Sequence, residues 1–411
     1  MRITIVGAGI VGLATAHALL DRGHKVTLVD PGDDQARPTN GNAGWIAHTD
    51  IMPLASPKVW RNLPQWLMDP LGPLTIRPTY LPALAPWLIR FVLASSPARI
   101  KTSIAAIRSI NAEALPAWQK RLSSLGLRDR LRENGILSVW RSHSAFLHAG
   151  DIIDQQRSFG IVAEVLEPED VARLEPALRN VEMGLLYPDA CHVSDPADLA
   201  ADLMRLARER GAEVIQGRVV ALKAKEETIH VRADGASGEV VSDRVVVAAG
   251  IWSRALARTL GDRIPLDTER GYNATYPKDS LGLNRPIMFE GEGFVTTPLD
   301  TGDRIGGAVE FGGIKAAPNH ERTSAMIARL KRFLPHFDAD QPAKRWMGFR
   351  PSIPDSLPVI GPAGKDRRIV YAFGHGHHGL TQAAITSQLV ADLIDERPSQ
   401  IDLSLFSAQR F

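Results

Sequence analysis

"RITIVGAGIVGLATAHALLDRGHKVTLVD", residues 2 to 30, decides the fold. "RITIV" is a short apolar run rich in β-branched residues, the pattern of a buried parallel strand. Gly7 follows it, and "IVGLATAHALLDRG" reads as a helix that stops at Gly23. "HKVTLVD" is a second strand ending in Asp30. Strand, glycine turn, helix and strand make a βαβ unit with a right-handed crossover. Gly7, Gly9 and Gly12 hold the G-x-G-x-x-G spacing. The first permits the tight turn, the second lets backbone approach a pyrophosphate, and the third lets helix and strand pack closely. The helix N-terminus then offers N–H groups and positive dipole to phosphate. Asp30 is placed to accept hydrogen bonds from a ribose, and its charge argues against a 2′-phosphate and so against NADP. The fingerprint alone leaves FAD and NAD open. The loop "PGDDQARPTNGNAGWIAH", residues 31 to 48, is suited to wrapping a ligand with backbone groups. A simple NAD-binding fold would continue with another βα unit there.

Composition bounds the rest. The chain has 411 residues, 44% hydrophobic and 23% charged, enough for two cores. Lys and Arg number 48 against 46 Asp and Glu, which makes no case for nucleic acid or a strongly anionic surface. One cysteine, Cys191, excludes an internal disulfide and reads as a small buried hydrophobe. No signal peptide is expected, because the first apolar run is needed as strand and helix. "LPALAPWLIRFVLAS", residues 81 to 95, is too short to span a membrane and contains two prolines and an arginine. It reads as a buried helix or, less simply, as a surface-lying amphipathic one.

Residues 57 to 165 are mostly helical in pattern, with "RIKTSIAAIRSINAEALPAWQKRLSSLG" broken near Pro116 and "GILSVW" a strand. "DRVVVAAGIWS" is a buried strand ending in glycine, and residues 265 to 345 alternate as strands, with "DTGD" at 300 to 303 as a hairpin turn. "RIVYAFG" and "LTQAAITSQLVADLI" close the chain as strand and helix. Between them "GHGHHG" repeats the glycine spacing at Gly374, Gly376 and Gly379. Nucleotide-type elements thus occur at the start, middle and end. The expected class is α/β: a discontinuous Rossmann-like dinucleotide domain over 1–56, 165–255 and 345–411, and an α+β substrate domain with an antiparallel sheet over 57–164 and 256–344.

Five stretches, in order, now carry a resemblance: residues 2–30, "NAGWI", "VVVAAGIWS", "ERGYN", and "GFRPSIPDSLPVIGP" with "GHGHHGLT". The chain resembles the FAD-dependent D-amino-acid oxidase superfamily, nearest its bacterial D-amino-acid dehydrogenase branch (small subunit-like). The resemblance implies FAD as cofactor and oxidation of a D-amino acid or cyclic imino acid. A hydride would pass from Cα to flavin N5 and the imine would be hydrolysed or released. It implies that "GHGHHGLT" lies against the isoalloxazine ring, with the helix from Leu380 pointing its N-terminus at the flavin. The implied cofactor residues are Gly7, Gly9, Gly12, Asp30, Thr39, Asn42, Ala43, Gly44, Val219, Gly250, Gly374, His375, Gly376 and Gly379.

For catalysis the resemblance singles out Arg350, whose planar fork suits a substrate carboxylate. Tyr272 matches a tyrosine whose hydroxyl would bind the carboxylate or gate the site; a core tyrosine is the plain alternative. Arg270 stands where a lysine is common, and its role is open. His48 is a candidate proton acceptor from the substrate ammonium, with His377 second. Glu310 faces either the site or solvent. No metal is expected, since no acid or cysteine is close in sequence to His375, His377 and His378; one of these could instead anchor the flavin covalently.

Residues selecting the substrate are expected among 48–60 and 265–310. A glycine- or sarcosine-type oxidase using O₂ and a non-catalytic FAD-bound scaffold stay open beside the dehydrogenase reading. The expected location is cytoplasmic, with a peripheral contact on the inner membrane face and a respiratory-chain acceptor left open.

Overall fold

The computed structural model describes residues 1–33, 36–55, 71–72, 74–235 and 238–411. Part of the loop after Asp30, the end of the 48–60 segment and the start of the helical region read from residue 57 lie outside the described residues.

A six-stranded sheet runs Glu213–Gln216, Lys25–Asp30, Arg2–Val6, Arg244–Val247, Ile369–Phe373 and Val359–Pro362. All but the last pairing are parallel. Strands from the start, middle and end of the chain therefore lie side by side, as the discontinuous reading requires. Parallel strands covered by helices must be apolar on both faces, and Ile3, Ile5, Val246, Val247 and Ile369 are all buried. The helix Ile10–Asp21 packs against the C-terminal helix Gly379–Ile394, and both join one core with Trp118 and Leu122. A three-stranded antiparallel sheet, Arg218–Ala224, Ile229–Asp234 and Glu239–Ser242, flanks this layer.

The second sheet has nine strands. Its main order is Lys344–Ser352, Asp267–Tyr276, Gly302–Phe311, Phe294–Leu299, Ile287–Phe289, Ile136–Trp140, Met183–Tyr187 and Glu164–Leu166, with Leu74–Ile76 beside Gly302–Phe311. Its membership corrects two boundaries. Glu164–Leu166 and Met183–Tyr187 pair with each other and onto Ile136–Trp140, and Lys344–Ser352 pairs with Asp267–Tyr276. All three had been read, wholly or nearly so, with the dinucleotide domain. Apolar runs at those places are compatible with either sheet; only long-range pairing selects one.

The helical region breaks at Glu113, between Pro97–Ala112 and Ala114–Ser124, so Pro116 lies in a first turn, where a missing N–H costs little. Leu81–Ala94 buries Leu84, Trp87, Phe91 and Ala94 but leaves Ile89, Val92 and Leu93 more than half exposed. It is therefore a surface-lying helix, the less simple of the two readings. Among the described residues no single helix is long and apolar enough to cross a membrane.

Candidate active site

A cavity of about 760 Å³ runs between the two sheets, bordered at one end by Gly7, Asp30 and Val219 and at the other by Arg350, Gly374 and Gly379. The two glycine motifs thus face one continuous space. At the first end Gly7 has φ +102°, and a Cβ there would lie 2.6 Å from the Ala248 carbonyl oxygen, so the strand-to-helix turn admits glycine alone. A Cβ on Gly9 would meet nothing nearer than Thr39 Oγ1 at 3.8 Å, which leaves the N-terminus of Ile10–Asp21 open to a ligand. Thr39 Oγ1 accepts from the Ile10 N–H at 3.2 Å, in the place expected of a phosphate contact. Asp30 accepts from the Ala8 and Gly32 N–H groups and from Arg37, at 2.7–2.8 Å. A carboxylate has about four acceptor sites, so roughly one remains for a ribose hydroxyl. Arg37, which also donates to the Ala8 carbonyl, was missed in the sequence; as a lone arginine in a Gly/Asn-rich loop it gave no signal.

Of the expected cofactor residues, Gly7, Gly9, Asp30, Thr39, Asn42, Ala43, Val219, Gly250, Gly374, His375, Gly376 and Gly379 border the cavity. Gly12 and Gly44 do not. A Cβ on Gly12 would lie 2.0 Å from the Gly7 carbonyl oxygen, so it serves helix–strand packing. One on Gly44 would meet Leu299 and the Val193 carbonyl at 3.2 Å. His375 contributes main chain rather than its ring: Nε2 pairs with Thr386 Oγ1 at 3.1 Å, and burial holds its pKa down to about 3. Beyond it Gly376–His378 forms a short 3₁₀ turn leading into Gly379–Ile394, whose N-terminus opens on the cavity. An extended dinucleotide fits this set, with its pyrophosphate at the first glycine turn, an adenosine on the Asp30 and Val219 side and a flat ring toward Gly374, and FAD is such a ligand.

At the ring end Arg350 stands opposite Glu269 in the antiparallel register. Opposed residues share a face, so Arg350, Gly348 and Trp346 lie on one face with Glu269, Gly271 and Asn273, and Arg350, Trp346 and Glu269 border the cavity. The Arg350 guanidinium lies over Gly271, where a Cβ would be 2.5 Å from Cζ. It donates to the Ala308 carbonyl at 3.3 Å, and no carboxylate oxygen of the described residues lies within 4.0 Å. Burial weighs against its charge and Glu269 weighs for it. Glu269 itself accepts from Ser352 Oγ. A half-buried guanidinium so lightly engaged has N–H groups left to donate to an anion.

The same alternation corrects Tyr272. It borders the cavity, but its side chain belongs with Arg270, on the opposite face from Arg350. Its hydroxyl donates to Glu310 Oε2 at 2.6 Å and accepts from the Asn319 N–H at 3.1 Å. Glu310 is buried and also takes Arg77 and Arg270; it is neither a surface acid nor in contact with the site. Arg270, fully buried, is held by Glu310 and the carbonyls of Gly313, Ala316 and Ala317, over the ring of Phe349. These four side chains brace the back of the strand that carries Gly271.

His48 does not border the cavity. It turns back in a tight bend, with Nδ1 3.3 Å from the Ile46 carbonyl, and burial lowers its pKa. The residue two further on does border it. Asp50 Oδ2 lies 3.3 Å from His377 Nε2 and 3.7 Å from His378 Nε2. Burial works against the Asp50 carboxylate, but the imidazoles outweigh it and hold its pKa at about 2. His378 is buried with both ring nitrogens lacking a hydrogen-bond partner, and burial pushes its pKa to about 3. No acid is close to these histidines in sequence, but the fold supplies one from residue 50: ligand atoms of the three groups lie within 4.8 Å of one another, close enough to share a cation or a proton.

The DAO family of FAD dependent oxidoreductases matches residues 2–393. A D-amino-acid oxidase of Bradyrhizobium diazoefficiens is 36% identical over 418 residues, covering 100% of this chain and 98% of that one. A D-amino acid dehydrogenase of the same organism is 28% identical over 422 residues, covering 100% and 99%. Among solved structures, glycine oxidase from Geobacillus kaustophilus superposes with a TM-score of 0.76 at 20% identity, over 100% of this chain and 99% of that one. L-proline dehydrogenase from P. horikoshii gives 0.73 at 19%, over 100% and 97%.

Proposed function

We propose a reaction for this chain, which belongs to the DAO family of FAD-dependent oxidoreductases: it oxidises a D-amino acid or a cyclic imino acid at the carbon between nitrogen and carboxylate. The observation that carries the reading is Arg350, a half-buried guanidinium without a carboxylate partner among the described residues, in the cavity that the fingerprint opens. The relatives' names supply the D-amino acid.

Arg350 would fix the substrate carboxylate through two parallel N–H···O bonds, and the turn at Gly376 would let backbone pass close to the ring. FAD supplies the hydride acceptor, which is the difficult step. The chain's own part is to place Cα. The N-terminus of Gly379–Ile394 favours negative charge beside it. The imine that leaves is hydrolysed by water.

Anaerobic mixing with a panel of D-, L- and imino acids tests this directly. Loss of the visible flavin absorbance with a D- or cyclic amino acid is expected. A flavin that dithionite reduces but no amino acid bleaches would return the chain to the scaffold reading. Air reoxidation of the bleached sample then separates an O₂-using oxidase, favoured by the 36% identical relative, from a dehydrogenase with another acceptor.

A cytoplasmic enzyme docked on the inner membrane face, passing electrons to a respiratory acceptor, is supported by the exposed apolar residues Leu81, Ile89, Val92 and Leu93. Flotation with lipid vesicles tests it; holoenzyme that stays at the bottom of the gradient at low salt would remove this part.

A further inference from the structure

We infer that His377, oriented by Asp50, takes the proton from the substrate's ammonium group before the Cα–H bond breaks. The inference rests on the amino-acid reading above. It starts from a requirement of the chemistry: an ammonium nitrogen has no lone pair to form the C=N bond as hydride departs. Either the substrate enters as a neutral amine, or the protein removes a proton on binding.

Three observations place a proton acceptor. Asp50 and His377 both border the cavity that Arg350 borders. The turn Gly376–His378 packs against the strand Lys344–Ser352, which brings the turn that carries His377 beside the strand that carries Arg350. His377 is about one-third exposed, whereas His378 beside it is buried, so His377 is the ring accessible to a ligand. The Asp50 carboxylate can only accept, so Nε2 of His377 carries the hydrogen between them and Nδ1 is left with its lone pair. Asp50 is then a positioning residue: it fixes the tautomer and stabilises the imidazolium that forms. The other titratable or charged groups around the pair are His375 and His378 beside it in sequence, Tyr187 beyond Asp50, Arg350 on the strand Lys344–Ser352 and Glu269 on its partner Asp267–Tyr276.

The step balances. The ammonium N–H bond breaks and its electron pair stays on nitrogen. An Nδ1–H bond forms on His377. That nitrogen pair becomes the C=N bond as hydride leaves Cα with its two electrons for the cofactor, and His377 later returns its proton to water. A cation shared by Asp50, His377 and His378 would occupy the same lone pairs and abolish this path.

The test uses FAD-loaded wild type, His377→Gln and Asp50→Asn, with thermal melts to establish that each folds. Two amino-acid substrates of different ammonium pKa are mixed anaerobically with each protein across pH. For wild type the acid limb of flavin reduction should be the same for both substrates. In His377→Gln it should move to each substrate's own ammonium pKa, with the rate falling about tenfold per pH unit below it. Asp50→Asn should shift the limb the same way by less. The second readout is proton release on mixing with the same substrates in weak buffer with an indicator dye. Wild type should release no net proton on binding, and His377→Gln should release one. A wild-type limb that already follows the substrate's pKa, or a proton released by wild type, overturns the inference while leaving the amino-acid reading intact. Loss of wild-type reduction on chelation, restored by a divalent cation, also overturns it and assigns the trio to a metal. Failure of every amino acid to bleach wild type would defeat the underlying reading instead.

Discussion

Gly271→Ala separates placement of the substrate from charge and from stability. The new Cβ would lie 2.5 Å from Cζ, 2.6 Å from Nη2 and 2.9 Å from Nε of Arg350. Ordinary contact begins near 3.4 Å, so the guanidinium must retreat by about 1 Å (3.4 less 2.5). Nothing else obstructs: the clashing atoms are the far end of a flexible side chain, and Gly271 is not in the left-handed region. The fold should tolerate the change, and the strand gains slightly from losing a glycine. The substrate should not tolerate it. A displacement of about 1 Å costs up to ~100-fold, and loss of a charge-assisted hydrogen bond of ~1.5–3 kcal/mol corresponds to roughly 10- to 100-fold. The expected result is a 10- to 100-fold fall in kcat/KM on that estimate, with FAD content and Tm at wild-type values. Arg350→Ala should lose at least as much, and Gly271→Ala should add nothing in that background. Steady-state kinetics on the amino acid that bleaches the flavin, with a thermal melt, decide it. Unchanged kcat/KM in Gly271→Ala would refute the claim that Arg350 holds the substrate where it now lies.

Gly7→Ala should yield folded protein depleted in FAD, read from the ratio of visible to ultraviolet absorbance, because its Cβ would strike the Ala248 carbonyl at 2.6 Å. Tyr272→Phe should cost about 1.5–3 kcal/mol of stability and leave kcat/KM nearly unchanged, since the hydroxyl serves the Glu310 carboxylate and not the cavity; a large KM rise would restore it to the site. Glu310→Gln should cost ~3–5 kcal/mol by stranding the fully buried Arg270, seen as a lowered Tm. Burial holds His17 and His192 near pKa 4 and His375 and His378 near 3, against an ordinary 6.5. The unfolded chain therefore binds more protons as pH falls. Tm should be steady above pH 6.5 and decline progressively below it toward pH 3; a flat Tm between 6.5 and 4 would contradict the burial of these rings.

Residues 2–30 were legible because strand, turn and helix there follow from near neighbours and from glycines with local work to do. Arg350 was legible through the motif around it. What failed was non-local. Sheet membership of Met183–Tyr187 and Lys344–Ser352 depends on partners far along the chain. Tyr272 stayed open between the site and the core because alternation tells which residues share a face, but not which face meets the cavity. His48 stood ahead of His377 and Asp50 gave no signal, because a tight bend of two residues is enough to turn one away from the cavity and the other toward it. Glu310 stayed open between site and solvent because nothing near it in sequence announces Arg77 or Arg270.

The strand Arg244–Val247 lies between the first strand of the chain and the strand that leads into the second glycine motif. This arrangement has a consequence for biosynthesis. On a ribosome the fingerprint emerges first, yet its neighbour Arg244–Val247 arrives midway and Ile369–Phe373 only with the final stretch. Pairings so distant in sequence close slowly, and an incomplete sheet exposes unpaired edges meanwhile. The nascent chain can offer phosphate contacts long before it can enclose a ring, so cofactor capture belongs to the end of synthesis. A C-terminal truncation that removes Gly379–Ile394 would then release chains that aggregate, not a smaller domain that still holds the cofactor.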